Sequence, residues 1–325
     1  MKYRYVWSAV VLANIAPALA APNVDIRSIS RRDNIVEQSD AQWGLQRISS
    51  GKKVEGNGRF VYRYDGELDT GAGVDVYVVD TGVDTSNSEF ESRASVVKNG
   101  LLDPDDIVGH GSHVAGIVGG KTYGVAKKVN ILSVKIGDKR IDYLTAVEGI
   151  TAAVRRHASR KSESNFIASV LNISLEFLNS SEMKGALQRA ANVGMHIVVA
   201  AGNAGKDACQ SYPASYNQDI KSLIVVGNLD MNDSLHSTSN YGKCVDISAP
   251  GTDITSVNGE KDTGTSFAAP MVAGVVAGQA LRHKELRTDP MGMKNLILGM
   301  AAKGITNAGE KAETPDRILN MSASQ

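Results

Sequence analysis

The stretch from Gly264 to Ala280, beginning Gly264-Thr265-Ser266-Phe267-Ala268-Ala269-Pro270-Met271, constrains this chain more than any other. It has no charged side chain and is dense in alanine, glycine and valine. A helix that is apolar on every side has to be surrounded, so this one belongs inside a large core. Its small residues let neighbouring elements approach the backbone closely. The pattern predicts that Gly264 and Thr265 turn the chain into the helix, with Ser266 in the first turn. Pro270 is compatible with a place near the helix start and not with its middle. A hydroxyl at a helix N-terminus lies in a positive field, beside backbone N–H groups that have no partner in the helix. Such a place suits a nucleophile whose reaction builds an oxyanion. It also suits a plain helix cap, since serine and threonine are common caps.

A chain of 325 residues is long enough for one large core or two modest ones. Lys+Arg and Asp+Glu are both 35, so there is no net charge and nothing like the basic stripe of a nucleic-acid binder. A hydrophobic content of 42% with 32 glycines fits a packed α/β enzyme better than a disordered chain. At the start, Lys2 and Arg4 precede a short apolar run from Val6 to Ile15. Ala18-Leu19-Ala20 then has the small-x-small form of a signal-peptidase site. Residues 1–20 therefore read as a signal peptide of a secreted, extracellular protein. An uncleaved anchor is the other reading, and it leaves the same domain outside the cell. No later stretch is long and uncharged enough for a membrane span. In a secreted chain Cys209 and Cys244 default to one disulfide. It closes a loop of about 36 residues, which in the chain-entropy view stabilises by about 3–4 kcal/mol. Free or metal-binding thiols stay open, although no histidine sits beside either cysteine.

Residues 21–40 are polar, with Arg31-Arg32 in the middle, and read as a short leader or processed segment ahead of a domain spanning 41–325. Within that domain short apolar runs alternate with helical patterns. Strands are predicted at Val74–Val79, Val129–Ile136, Ile167–Leu175, His196–Ala200 and Leu223–Val226. Helices are predicted at Tyr143–Arg156, Ser181–Val193, Thr265 onward and Pro290–Met300. In the first of these Leu144, Val147, Ile150, Ala153 and Val154 share the inward face. The alternation implies an α/β fold of three layers, a mostly parallel twisted sheet with helices on both faces. Active sites of such folds lie beyond the carboxyl ends of the strands. Asp80 and the Gly202-Asn203 pair both fall just past strand ends.

Three short stretches matter together. Asp80 ends a strand in Val78-Val79-Asp80-Thr81-Gly82. His110 stands in Gly109-His110-Gly111-Ser112-His113-Val114-Ala115-Gly116, where small residues open a helix. Ser266 opens the apolar helix. Each alone has a bland reading, as a turn residue, a structural histidine or a cap. The order Asp, His, Ser is one of the known orders of the hydrolytic triad. The stretches resemble the signatures of subtilisin-like serine proteases, and most of all the secreted proteinase K branch. Trp43-Gly44-Leu45-Gln46-Arg47-Ile48 is similar to the start of mature enzymes of that branch. Ala200-Ala201-Gly202-Asn203 resembles the oxyanion-hole segment, and Asn240-Tyr241-Gly242 and Ala249-Pro250-Gly251 are also family-like. The resemblance runs from about Trp43 to Gln279.

The resemblance implies a secreted endopeptidase needing no cofactor for its chemistry and acting as a monomer on protein or peptide substrates, with no nucleic-acid or membrane partner. It implies that Ser266 attacks, His110 moves the proton, Asp80 orients the imidazole and Asn203 donates to the oxyanion. His113 is expected to pack or hydrogen-bond rather than catalyse. The cleft walls are implied at Asp138 to Ile141, including Lys139, Arg140 and Ile141, and at Ser174-Leu175-Glu176-Phe177, with Ala201 and Gly202 also expected to bind substrate. The glycines usual in both edge segments are missing. Glu176 either attracts a basic P1 residue or points to solvent. Cys209 and Cys244 resemble a disulfide of secreted relatives. Asp246 matches a carboxylate that holds structural Ca²⁺ with backbone carbonyls near Lys221 and Leu223; a surface or capping aspartate is the alternative. The roughly twenty residues ahead of the mature-like start are too few for a folded inhibitory prodomain. Of four Asn-x-Ser sequons, Asn172 falls in a buried strand, while Asn179 and Asn232 fall in polar loops and are the glycan candidates, with Asn320 the fourth. A subtilase scaffold that binds peptides but cleaves poorly is the rival reading.

Overall fold

Val74 to Asp80 is buried at every residue, which makes it a strand covered on both faces. The computed structural model describes residues 34–56, 58–98, 103–138, 141, 143–311 and 313–321. The expected signal peptide, the Arg31-Arg32 pair, Lys139 and Arg140 lie outside the described residues. In chain order the strands are β1 (Ile35–Ala41), β2 (Phe60–Asp65), β3 (Val74–Asp80), β4 (Ala94–Val96), β5 (Asn130–Lys135), β6 (Ala168–Ile173), β7 (His196–Ala200), β8 (Ile224–Leu229), β9 (Ile247–Pro250), β10 (Ile254–Thr255) and β11 (Lys261–Asp262). The α-helices are α1 (Trp43–Ser50), α2 (His110–Gly119), α3 (Tyr143–Arg160), α4 (Ser181–Asn192), α5 (Thr265–Arg282) and α6 (Pro290–Met300).

Seven strands form one sheet in the order β4-β5-β3-β6-β7-β8-β9. Every neighbouring pair in it is parallel. Because strand side chains alternate, the two faces build two cores. Val76, Val78, Val170, Val198 and Val226 pack with α2 and α5. Tyr77, Val79, Leu171, Ile173, Val199 and Val225 pack with residues of α3 and α4. The three-layer α/β architecture expected from the sequence is thus present. The chain starts the sheet at β3, goes out to the edge strand β4, returns to β5 beside β3, then crosses to β6 on the other side. The strand order therefore reverses between β3 and β6, and the crevice beyond their carboxyl ends is where such sheets bind ligands.

Helix α5 is buried from Thr265 through Ala280. Pro270 sits at its sixth residue and has no N–H to give to the carbonyl four residues back, which is that of Ser266. The side chain of Ser174, just beyond β6, donates to that freed carbonyl at 2.8 Å. The proline thus ties the start of α5 to the end of β6.

Several elements differ from the sequence reading. Ile35 to Asp40, placed in the leader, form most of β1, which pairs antiparallel with β2. It is exposed nearly throughout, so it has no apolar pattern to betray it. In α3 the buried face is Ala146, Gly149, Ile150, Ala153, His157 and Arg160, while Leu144 is half exposed. Of the predicted face, Ile150 and Ala153 are buried and Val147 and Val154 pack half-buried on the same core, while the last turn adds Arg160, paired with the buried Asp75 at 2.8 Å. Among the described residues no helix is long and apolar enough to cross a membrane.

Candidate active site

Asp80 closes β3 with its side chain fully buried. Its Oδ1 accepts from the backbone N–H of Thr81 at 2.7 Å and meets Nδ1 of His110, also at 2.7 Å. His110 is the first residue of α2. Gly111 makes this docking feasible: a Cβ there would lie 2.0 Å from the carbonyl oxygen of Gly82 and 3.0 Å from Cβ of Asp80. With Nδ1–H donated to the carboxylate, Nε2 of the imidazole is the acceptor face.

Asp106 holds the same corner and was invisible to motif reading. Its Oδ2 accepts from the N–H and the hydroxyl of Ser112 at 2.8 and 2.7 Å. Its Oδ1 accepts from the N–H of Gly109 at 2.9 Å and from the hydroxyl of Thr81 at 2.8 Å. These bonds outweigh burial and hold its carboxyl below the usual carboxylate range. One signal existed: an aspartate shortly before a helix start favours the positive end of the dipole. For His110, burial works against the charged form, yet the attraction and hydrogen bond of Asp80, with Asp262 and Asp106 adding, raise its pKa above the ordinary histidine value.

Ser266 is the second residue of α5 and 9% exposed. Its neighbour Phe267 rests against the ring of His110, with centroids 5.5 Å apart, and against His113 at 4.8 Å. The sequence reading expects one line of hydrogen bonds from carboxylate to imidazole to alcohol. The carboxylate–imidazole half is formed; the hydroxyl of Ser266 instead donates to the backbone carbonyl of Ser174 at 2.9 Å. The two serines are therefore bonded reciprocally, each hydroxyl to the other's carbonyl. His113 takes the structural role expected for it. Its Nε2 lies 3.1 Å from the carbonyl oxygen of Ile254, and burial lowers its pKa.

Asn203 follows β7. Its Oδ1 accepts from the N–H and hydroxyl of Thr265 at 2.9 and 3.0 Å. Gly202 N–H donates in turn to the Thr265 hydroxyl at 3.2 Å. With the oxygen anchored, the Nδ2 amide of Asn203 is left to donate outward at the N-terminus of α5. Gly202 has φ +101°, and a Cβ on it would lie 2.3 Å from Asn240 Nδ2 and 2.5 Å from Glu176 Oε1. Gly202 thus lies against Glu176 of one expected cleft wall. Ser174 is buried, Leu175 half-buried and Glu176 exposed, its carboxylate lying over the backbone of Gly202. Ala201 is fixed by its N–H to Val226 and by its carbonyl, which accepts from Asn240 at 2.9 Å. Ile141 bridges back to Gly137 at the other wall.

A profile of the subtilase family matches residues 71–318. The chain belongs to the subtilase family. Subtilisin-like protease 3 of Saccharomyces cerevisiae is 34% identical to this subtilase over 304 residues, 87% of the chain and 62% of that relative. Proteinase R of Parengyodontium album is 40% identical over 247 residues, 74% of the chain and 60% of the relative. Cerevisin of Saccharomyces cerevisiae is 39% identical over 264 residues, 75% of the chain and 40% of the relative. The subtilase described here thus spans 40–62% of the length of these relatives. Among solved structures, a cold adapted subtilisin-like serine proteinase superposes with a TM-score of 0.75 at 32% identity, covering 88% of this chain and all of that one.

Cys209 and Cys244 form a disulfide, as the sequence reading expects, with Cα atoms 5.2 Å apart. The calcium expectation at Asp246 is corrected. Its Oδ1 is paired with the ammonium of Lys294 at 2.7 Å, and its Oδ2 accepts from the N–H of Val225 at 2.9 Å. The Leu223 carbonyl, a second expected ligand, accepts from the same ammonium at 2.7 Å. The oxygens that would hold Ca²⁺ already hold a cation from α6, so these residues do not fit the metal.

Proposed function

We propose that this chain is a serine endopeptidase that hydrolyses peptide bonds of proteins through an acyl-enzyme on Ser266. The single observation that carries this is the 2.7 Å contact between buried Asp80 and His110 at the start of α2. It fixes the tautomer in which Nε2 can accept a proton. For attack, Ser266 rotates about χ1, leaves the carbonyl of Ser174 and presents its hydroxyl to Nε2. His110 takes that proton as Oγ bonds to the peptide carbonyl carbon, then gives it to the leaving amine. Asp80 stabilises the imidazolium formed on the way. The tetrahedral oxyanion is held by Asn203 Nδ2 and the backbone N–H of Ser266. Water then repeats the sequence on the acyl-enzyme, returning free Ser266.

Substrate lies extended between the Ser174–Phe177 wall and the Asp138–Ile141 wall, which includes Lys139 and Arg140. Glu176 places a carboxylate, with no hydrogen-bond or ion-pair partner among the described residues, at the wall opposite Gly202. Lys or Arg at P1 is the preferred residue, since an ammonium or guanidinium there meets it. The protein is secreted after removal of residues 1–20, and Asn179 and Asn232, both exposed, carry the glycans. It works as a monomer without a nucleic-acid or membrane partner.

A second reading is a peptide-binding subtilase that cleaves poorly. The Ser266 hydroxyl bonded to Ser174, and Glu176 standing where family members have glycine, favour it. Digestion of an unfolded protein, with Ser266→Ala as control, separates the two. Cleavage lost in the variant supports the peptidase. Peptide binding with no cleavage by the wild-type chain supports the binder.

A further inference from the structure

Lys294 projects from α6 into the corner between β8 and β9 and is buried, its side chain 9% exposed. Its ammonium bonds the Asp246 carboxylate at 2.7 Å and the Leu223 carbonyl at 2.7 Å. A carboxylate and a backbone carbonyl converging on one point are oxygen donors of the kind a hard cation takes. Here the cation is covalently part of the chain. Two more positive groups act on the Lys294 ammonium. Arg317 Nη1 donates to the Asp246 backbone carbonyl at 3.4 Å, and Lys221 is close enough to repel the Lys294 charge. A dication entering beside three cationic side chains and one carboxylate would add repulsion, and would have to expel an ammonium from its pair.

We propose that Lys294 is a built-in cation that replaces calcium in this subtilase and staples α6 to the β8–β9 corner, so that its stability does not respond to Ca²⁺. The ammonium does with one charge what a metal does with two. It neutralises Asp246, satisfies the Leu223 carbonyl and ties together segments 71 residues apart in sequence. The staple also reaches the C-terminal segment, because Arg317 binds the Asp246 carbonyl and the Arg317 carbonyl accepts from Ser248 of β9 at 2.8 Å. Removing only Lys294 leaves a carboxylate at 13% exposure without its counter-ion. Removing both partners is less damaging, because the uncompensated charge goes with them.

The test uses the full chain with Ser266→Ala, so that self-digestion does not interfere and the outcome does not depend on the proposed activity. Thermal unfolding is followed in EDTA and in millimolar CaCl₂ for this protein, for Lys294→Met and for Lys294→Met with Asp246→Asn. The expected result is a melting temperature unchanged by Ca²⁺ in the parent. Lys294→Met is expected to lower it by on the order of 10 °C, partly recovered in the double variant. Stabilisation of the parent by Ca²⁺ overturns the proposal. So does a Lys294→Met variant as stable as the parent, or a double variant that loses more than the single one.

Discussion

Thr265 holds Asn203 by two hydrogen bonds to one oxygen, from its backbone N–H at 2.9 Å and from its hydroxyl at 3.0 Å. The residue before the proposed nucleophile thereby fixes the amide proposed to receive the oxyanion. Replacing Asn203 with Ala is expected to lower kcat by about 10²–10³ with little change in KM, the cost of a lost oxyanion donor. Thr265→Val keeps the backbone bond and loses the hydroxyl, so about a three- to tenfold loss is expected. Steady-state kinetics on one peptide ester measures both. Equal losses in the two variants would mean that Thr265 does more than aim Asn203.

His110 works as a base only when neutral. Its pKa is raised over the ordinary histidine value by Asp80, Asp262 and Asp106, which outweigh burial. The acid limb of kcat/KM is therefore expected above about pH 6.5. Asp262 is exposed and makes no bond to His110, so Asp262→Asn is expected to move that limb to lower pH with the plateau intact. A limb that stays in place in this variant, across profiles at low salt, would contradict the electrostatic origin of the shift.

Glu176 lies over Gly202 at the wall proposed to receive P1. The wild-type enzyme is expected to cleave Lys or Arg peptides faster than Leu or Phe peptides. Glu176→Gln should reduce that ratio by a factor of about five, the worth of one partly exposed ion pair. Matched P1 peptides provide the readout. A wild-type preference for Leu or Phe would assign Glu176 to solvent.

His196 is buried at the start of β7, with Nε2 3.2 Å from the carbonyl of Arg287, and burial lowers its pKa to about 4. The unfolded chain binds a proton at about pH 6.5 and the folded one does not, so stability is full above that pH and falls as pH drops toward 4. The loss across this window is on the order of 3 kcal/mol. Urea unfolding at pH 7, 5.5 and 4, in a Ser266→Ala background, should show a smaller pH dependence in His196→Leu. An identical dependence would place the acid sensitivity elsewhere.

Much of the site was legible because its pieces are local. Asp80 ends an apolar strand, His110 and Ser266 each begin a glycine-introduced helix, and Asn203 follows a strand. Short-range pattern places them at element ends, the resemblance to subtilase signatures singles them out together, and the parallel sheet sets those ends on one edge. The unread parts depend on distant partners. Asp106 acts by capping α2 and bonding Thr81, and Lys294 meets Asp246 from another element of the chain. Leu144 looked inward by periodicity but lies half exposed in the first turn of α3, and the inward Arg160 at the other end depends on its distant partner Asp75. The Ser266 hydroxyl on the Ser174 carbonyl likewise depends on a partner 92 residues away in sequence.

Everything proposed about the chemistry rests on Asp80 and His110 activating Ser266. Reaction of the folded protein with a fluorophosphonate, read by mass spectrometry of the modified peptide, tests this most directly. The expected result is stoichiometric labelling at Ser266 that falls by at least about a thousandfold in rate in His110→Ala. An unlabelled wild-type protein, or labelling that His110→Ala leaves unchanged, would contradict it.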